Sequence, residues 1–169
     1  CLGDVLLMFQ RANANFFTKR EPAANFRSII HLIHADPFTA SPGGSEHYVL
    51  DLVRGMKSPR ALIAFPTLSS IEVREVLAGQ IDDPIPYSFP LKVPPEKVSY
   101  EHEEIVDALR HIVELFQVSI AHLHHFFFWP VSLWRVFSER QIPYVSMLHD
   151  FYSVCPSHNL FDYSKMRSC

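Results

Sequence analysis

The sequence predicts an open α/β domain: a mostly parallel sheet with helices on both faces. Short apolar runs rich in β-branched residues alternate with segments of helical periodicity, which is the pattern of a parallel sheet built from strand–helix units. One such run leads directly through Pro42-Gly43-Gly44-Ser45-Glu46 into a helix start. Two later polar clusters, His122-Leu123-His124-His125 and His149-Asp150, each follow immediately on an apolar run.

Residues 2–18 carry apolar side chains at Val5, Leu6, Met8, Phe9, Ala12, Phe16 and Phe17, and read as a helix. Thr18–Asn25, with Pro22, reads as a linker, so residues 1–24 form an N-terminal helix and linker and 25–169 the main domain. Phe26–His34 is nearly continuous in apolar residues, as expected of a strand buried on both faces. The loop Ala35–Gly43 follows, and Ser45 is suited to cap the next helix. That helix, Glu46–Met56, places Tyr48, Val49, Leu52, Val53 and Met56 on one face. Arg60–Phe65 is the second strand. Ile71–Leu77 fits either a strand or a short helix. Gly79–Pro95 contains Pro84, Pro86, Pro90 and Pro94 and reads as an irregular insertion with one extended piece at Ile85–Leu91. Tyr100–Phe116 repeats Ile105, Ala108, Leu109, Ile112, Val113 and Phe116 at helical spacing. Val118–Leu123 is a strand, Pro130–Arg140 a helix with proline at its first turn, and Pro143–Leu148 a strand. His149–Cys169 reads as a long loop or an incomplete subdomain.

The chain has 169 residues, 48% of them hydrophobic and 20% charged, enough for a globular domain with its own core. A net charge of −3 gives no electrostatic reason to expect nucleic acid or an anionic membrane as partner. No apolar run approaches a transmembrane span. Three scattered cysteines, Cys1, Cys155 and Cys169, do not make a disulfide framework and fit a reducing, cytoplasmic setting. The start at Cys1 and the abrupt end at Cys169 suggest a piece of a longer protein.

In open parallel sheets, ligands bind beyond the carboxyl ends of the strands, where the strand order reverses. Gly43-Gly44, His124-His125 and His149-Asp150 all follow predicted strands and are therefore expected at one edge of the sheet. A helix start after glycines offers free N–H groups and a positive dipole end, which suit a phosphate. Glu46 either supports that dipole or accepts hydrogen bonds from substrate hydroxyls. His149 is the foremost catalytic candidate, since imidazole donates, accepts or shuttles a proton near neutral pH; Asp150 orients it or caps the following turn. His122, His124 and His125 carry an alternative: a metal-dependent hydrolase using His122, His124 and His149, with Asp36 or Asp150 as further ligands.

The runs Pro42-Gly43-Gly44-Ser45-Glu46-His47-Tyr48-Val49-Leu50-Asp51-Leu52, Ile120-Ala121-His122-Leu123-His124-His125 and Val145-Ser146-Met147-Leu148-His149-Asp150-Phe151-Tyr152-Ser153-Val154-Cys155-Pro156 resemble those of family-4 glycosyltransferases with the GT-B fold. The resemblance spans about Arg27–Cys169 and covers the N-terminal, acceptor-side half, a Rossmann-like domain. It implies that the parent moves a sugar from a nucleotide-sugar donor to a carbohydrate or lipid-linked acceptor with retention, and without a metal or other cofactor. It also implies that Gly43 and Gly44 approach the donor diphosphate and acceptor, that His149 contacts the transferred sugar, and that His125 lies at the crevice floor. The donor-binding C-terminal domain would be the partner, supplied by the same chain, and this half alone would be inactive. The resemblance implies a cytoplasmic protein, or one peripheral at the inner face of the membrane. A non-catalytic sugar- or partner-binding domain is the third reading.

Overall fold

The computed structural model describes residues 28–56, 60–149, 161–162 and 164–168. The chain divides into two compact units, Arg27–His149 and a second of Cys1–Phe26 with Asp150–Cys169. The expected N-terminal helix and linker lie outside the described residues, as does Asp150.

The larger unit is an α/β domain around a six-stranded, mostly parallel mixed sheet. Its elements are β1 (Ile29–Leu32), α1 (Gly44–Gly55), β2 (Arg60–Pro66), β3 (Ser70–Leu77), β4 (Ile85–Pro90), α2 (Glu103–Leu115), β5 (Ile120–Leu123), a 3₁₀ turn (Val131–Leu133), α3 (Trp134–Glu139) and β6 (Tyr144–Ser146). The strand order is β4-β3-β2-β1-β5-β6. β2, β1, β5 and β6 run parallel, whereas β3 and β4 add antiparallel to the outer side of β2. The chain thus leaves β1 toward β2 on one side and returns to β5 on the other. The reversal of strand order falls between β1 and β5.

Side chains alternate across the sheet. On one face Ile33, Ala61, Ile63, Phe65 and Val76 pack with Val49 and Val53 of α1. Ile30, Leu32, Leu62, Ala64, Ala121 and Leu123 alternate with them and are also buried. α2 buries Ile105, Val106, Leu109, Ile112 and Val113 at helical spacing. Both α2 and α3 end on a left-handed glutamine, Gln117 (φ 53°) and Gln141 (φ 52°), where glycine is the usual choice. The chain closes back by Val118 N–H to Val113 O (3.0 Å) and Ile142 N–H to Phe137 O (2.9 Å).

The structure decides one open reading, bears out a second and corrects a third. Ile71–Leu77 is a strand, paired residue for residue with β2. Within the proline-rich insertion, the extended piece expected at Ile85–Leu91 is the outermost strand, Ile85–Pro90. Pro86 and Pro90 are tolerated there because an edge strand has one side free of ladder partners. The buried charge on β3 is accounted for: Glu75 pairs with Arg60 and accepts a hydrogen bond from Tyr87 Oη (2.8 Å). Finally, Gly43 and not Ser45 is the cap residue of α1. Gly43 is extended (φ −74°, ψ −179°), and the Ser45 hydroxyl donates to Glu46 Oε2 at 3.0 Å.

In the second unit the described residues form a two-stranded antiparallel ribbon, β7 (Phe161–Asp162) with β8 (Arg167–Ser168). Asp162 Oδ1 holds its turn by accepting from Ser164 N–H and Oγ. Among the described residues no helix is long and apolar enough to cross a membrane.

Candidate functional site

The carboxyl ends of β1, β5 and β6 gather a group of histidines beside the start of α1. β1 and β5 are in a register that sets His31 opposite His122. His122 and His124, two residues apart on β5 and its extension, share a face, and their ring centroids are 3.9 Å apart. His31 Nδ1 lies 3.0 Å from His124 Nε2, and His124 Nδ1 lies 3.4 Å from His149 Nε2. The four rings therefore run from the sheet interior outward: His31 is fully buried, His124 buried, His122 half-buried and His149 exposed.

The electrostatics follow from that placement. Burial pushes the His31 imidazole down to about 3, with the neighbouring His122 acting in the same direction. Burial lowers His124 to about 2, reinforced by His122, His31 and His149. His122 is lowered too, by burial and then by His149. These three rings are neutral at pH 7, each with one N–H and one lone pair.

The start of α1 borders this group. Tyr48, one turn into the helix, meets His149 edge-on (ring centroids 5.3 Å) and lies 5.8 Å from His124. The first helical bond runs from His47 N–H to Gly43 O (3.0 Å), so the N–H groups before it lie outside the helical ladder. Glu46 is buried, with Oε1 3.2 Å from His34 Nδ1, which turns its carboxylate inward. The two glycines differ. A Cβ on Gly43 would come within 2.5 Å of Glu46 Oε2, whereas one on Gly44 would meet nothing within 4 Å.

His125 is half-buried and packs against His34 (4.2 Å) and Phe127 (4.4 Å), with its Nδ1 accepting from Phe127 N–H at 3.2 Å. Buried Trp129 donates its indole N–H to Ile33 O at 2.7 Å, joining the loop after β5 to the end of β1. Asp36 accepts from Phe38 N–H (2.9 Å) and pairs with Arg74 of β3 (3.1 Å). That pairing holds the loop after β1 and engages Asp36 away from the role of a metal ligand beside His122 and His124.

The structure thus brings together the neighbourhood of Gly43 and Gly44 with His122, His124, His125 and His149, and it adds three residues that sequence reasoning left out. His31 and His34 were absorbed into an apolar strand, and Tyr48 was assigned to a packing face. The signal for His31 was its position in a second histidine-bearing strand. Among the described residues, one group of three is spaced to hold a metal ion: His31, His122 and His124, each offering a ring nitrogen, all within 4.8 Å of one another.

Comparison with protein families, curated proteins and solved structures returns no match for this chain.

Proposed function

We propose that this chain is the acceptor-side half of a GT-B glycosyltransferase that moves a sugar from a nucleotide-sugar donor to a carbohydrate or lipid-linked acceptor. The observation that supports the reading is the meeting of a glycine-led helix start with His149 at the strand-order reversal, where open α/β sheets bind ligands. The N–H groups at the start of α1 face the donor diphosphate and stabilise negative charge as it leaves. His149 hydrogen-bonds the transferred sugar from the end of β6. In the transfer, the acceptor oxygen bonds to the anomeric carbon, the bond from that carbon to the phosphate oxygen breaks, and the acceptor proton leaves with the diphosphate. A donor-binding domain completes the crevice and excludes water.

The test is His149→Ala in the full-length protein, assayed for nucleoside diphosphate release and glycosyl transfer. Turnover should fall by about 100-fold or more, as for loss of one preorganised transition-state hydrogen bond. Stability should fall by no more than about 1–2 kcal/mol, because the side chain is exposed and its bond to His124 Nδ1 is long at 3.4 Å. Unchanged turnover removes His149 from the reaction. A full-length wild-type protein that transfers no sugar from any nucleotide-sugar overturns the reading.

A further inference from the structure

We propose that His31, His122 and His124 form a binding site for a divalent transition-metal ion of the zinc class, bolting β1 to β5 at the strand-order reversal. One ring nitrogen of each lies within 4.8 Å of the others, and no carboxylate is among them. An all-imidazole set excludes the hard ions magnesium and calcium and suits zinc, cobalt, nickel and copper. The 3.0 Å between His31 Nδ1 and His124 Nε2 is close to the spacing of about 3.3 Å that two imidazoles keep on a tetrahedral ion with bonds of about 2.0 Å.

The protein's own hydrogen bonding leaves the cluster incomplete. His31 and His124 can share one N–H and one lone pair, and His124 can share its other nitrogen with His149. Nε2 of His122 is left buried with no hydrogen-bond partner, on the strand next to His31 and with the two rings 5.4 Å apart. A buried imidazole nitrogen without a partner costs stability, and a cation that takes its lone pair together with those of His31 Nδ1 and His124 Nε2 satisfies it. His122, the half-buried member, gives the ion a way in. With His124 bound through Nε2, its Nδ1–H is the group that donates to His149, an outer contact of the kind that fixes the tautomer of a metal-bound histidine. Three protein nitrogens leave a fourth position for water.

The experiment uses the full chain freed of metal with a chelator, then titrated with zinc alone and with cobalt alone, without donor or acceptor. Metal binding is therefore read independently of glycosyl transfer. One zinc per chain should bind at micromolar or lower free metal and raise the Tm. Cobalt should give the visible absorption of a tetrahedral nitrogen site. His122→Ala, folded by circular dichroism, should weaken binding by more than about tenfold. His47→Ala, a control outside the cluster, should leave binding unchanged. Wild-type protein that takes up no zinc or cobalt at micromolar free metal overturns the site, whatever the variants do. Binding that survives His122→Ala undiminished overturns it as well, and locates the ion elsewhere. His31→Leu is a second check, since its folded form should also lose the ion.

Discussion

Mild acid should destabilise this domain well above the pH at which carboxylates titrate. His31 and His124 have ordinary imidazole values of 6.5 when unfolded, but folding lowers them to about 3 and about 2. The unfolded chain therefore binds more protons than the folded one between these values. Stability is intact above pH 6.5 and is lost as the pH falls through the window. Each such ring contributes a slope of about 1.4 kcal/mol per pH unit. The pair approaches about 3 kcal/mol per unit once the unfolded rings are protonated, and loses about 4 kcal/mol between neutral pH and pH 5. Half-buried His122, lowered in the same direction, adds to this loss. Against a typical total of about 5–15 kcal/mol, a loss of that size brings the domain to the edge of unfolding near pH 5. The assay is urea denaturation in chelator at half-unit pH steps, with proton uptake taken from the slope of unfolding free energy against pH. About two protons are expected. His31→Leu should remove about one of them. A flat profile between pH 6.5 and 5, or uptake of less than one proton, refutes the burial of these imidazoles.

The two adjacent glycines should respond in opposite directions. Gly43→Ala brings a methyl onto the Glu46 carboxylate, the far end of a side chain that must shift to admit it, and should cost about 1 kcal/mol, read as a lower urea midpoint. Gly44→Ala has open space on a helical backbone and should gain up to about 1 kcal/mol. Gln117→Gly should raise stability by roughly 1 kcal/mol, because it relieves a left-handed backbone at the end of α2 without altering the chain's closure onto Val113; a thermal melt with no rise in Tm would count against it. Trp129→Phe should lose about 1–3 kcal/mol by leaving the Ile33 carbonyl without its indole donor. An unchanged urea midpoint would mean that the bond is replaced at no cost.

The alternating sheet and helices were legible because their signals are local. Apolar runs marked β1, β2 and β5, and the Ile105–Phe116 spacing marked α2 to within a turn. The antiparallel pairing of β3 and β4 onto β2 was not, for two reasons. Ile71–Leu77 alternates with charges such as Glu75, whose burial depends on Arg60 and Tyr87 from neighbouring strands. The extended piece at Ile85–Leu91 was read, but its prolines gave no sign that it pairs with β3 until its edge position is known. The same divide runs through the site. That His124, His125 and His149 would gather at one sheet edge followed from strand polarity. That His31 would join them depends on strand register, which local sequence does not carry. Glu46 was expected to serve a ligand or the helix dipole, and its inward turn toward His34 arises from a side chain twelve residues earlier.

The indole of Trp129 has a consequence for observing the protein at work. Its N–H bonds the carbonyl of Ile33, the first residue past β1, from the loop after β5, so the ends of these two strands are tied here as well as by His124 N–H to Leu32 O. They cannot part without exposing a chromophore that is now almost entirely shielded from water. A loosening of these strand ends should therefore be readable from intrinsic fluorescence, with no label attached, as a change in Trp129 emission over that of Trp134, the other tryptophan of the sequence.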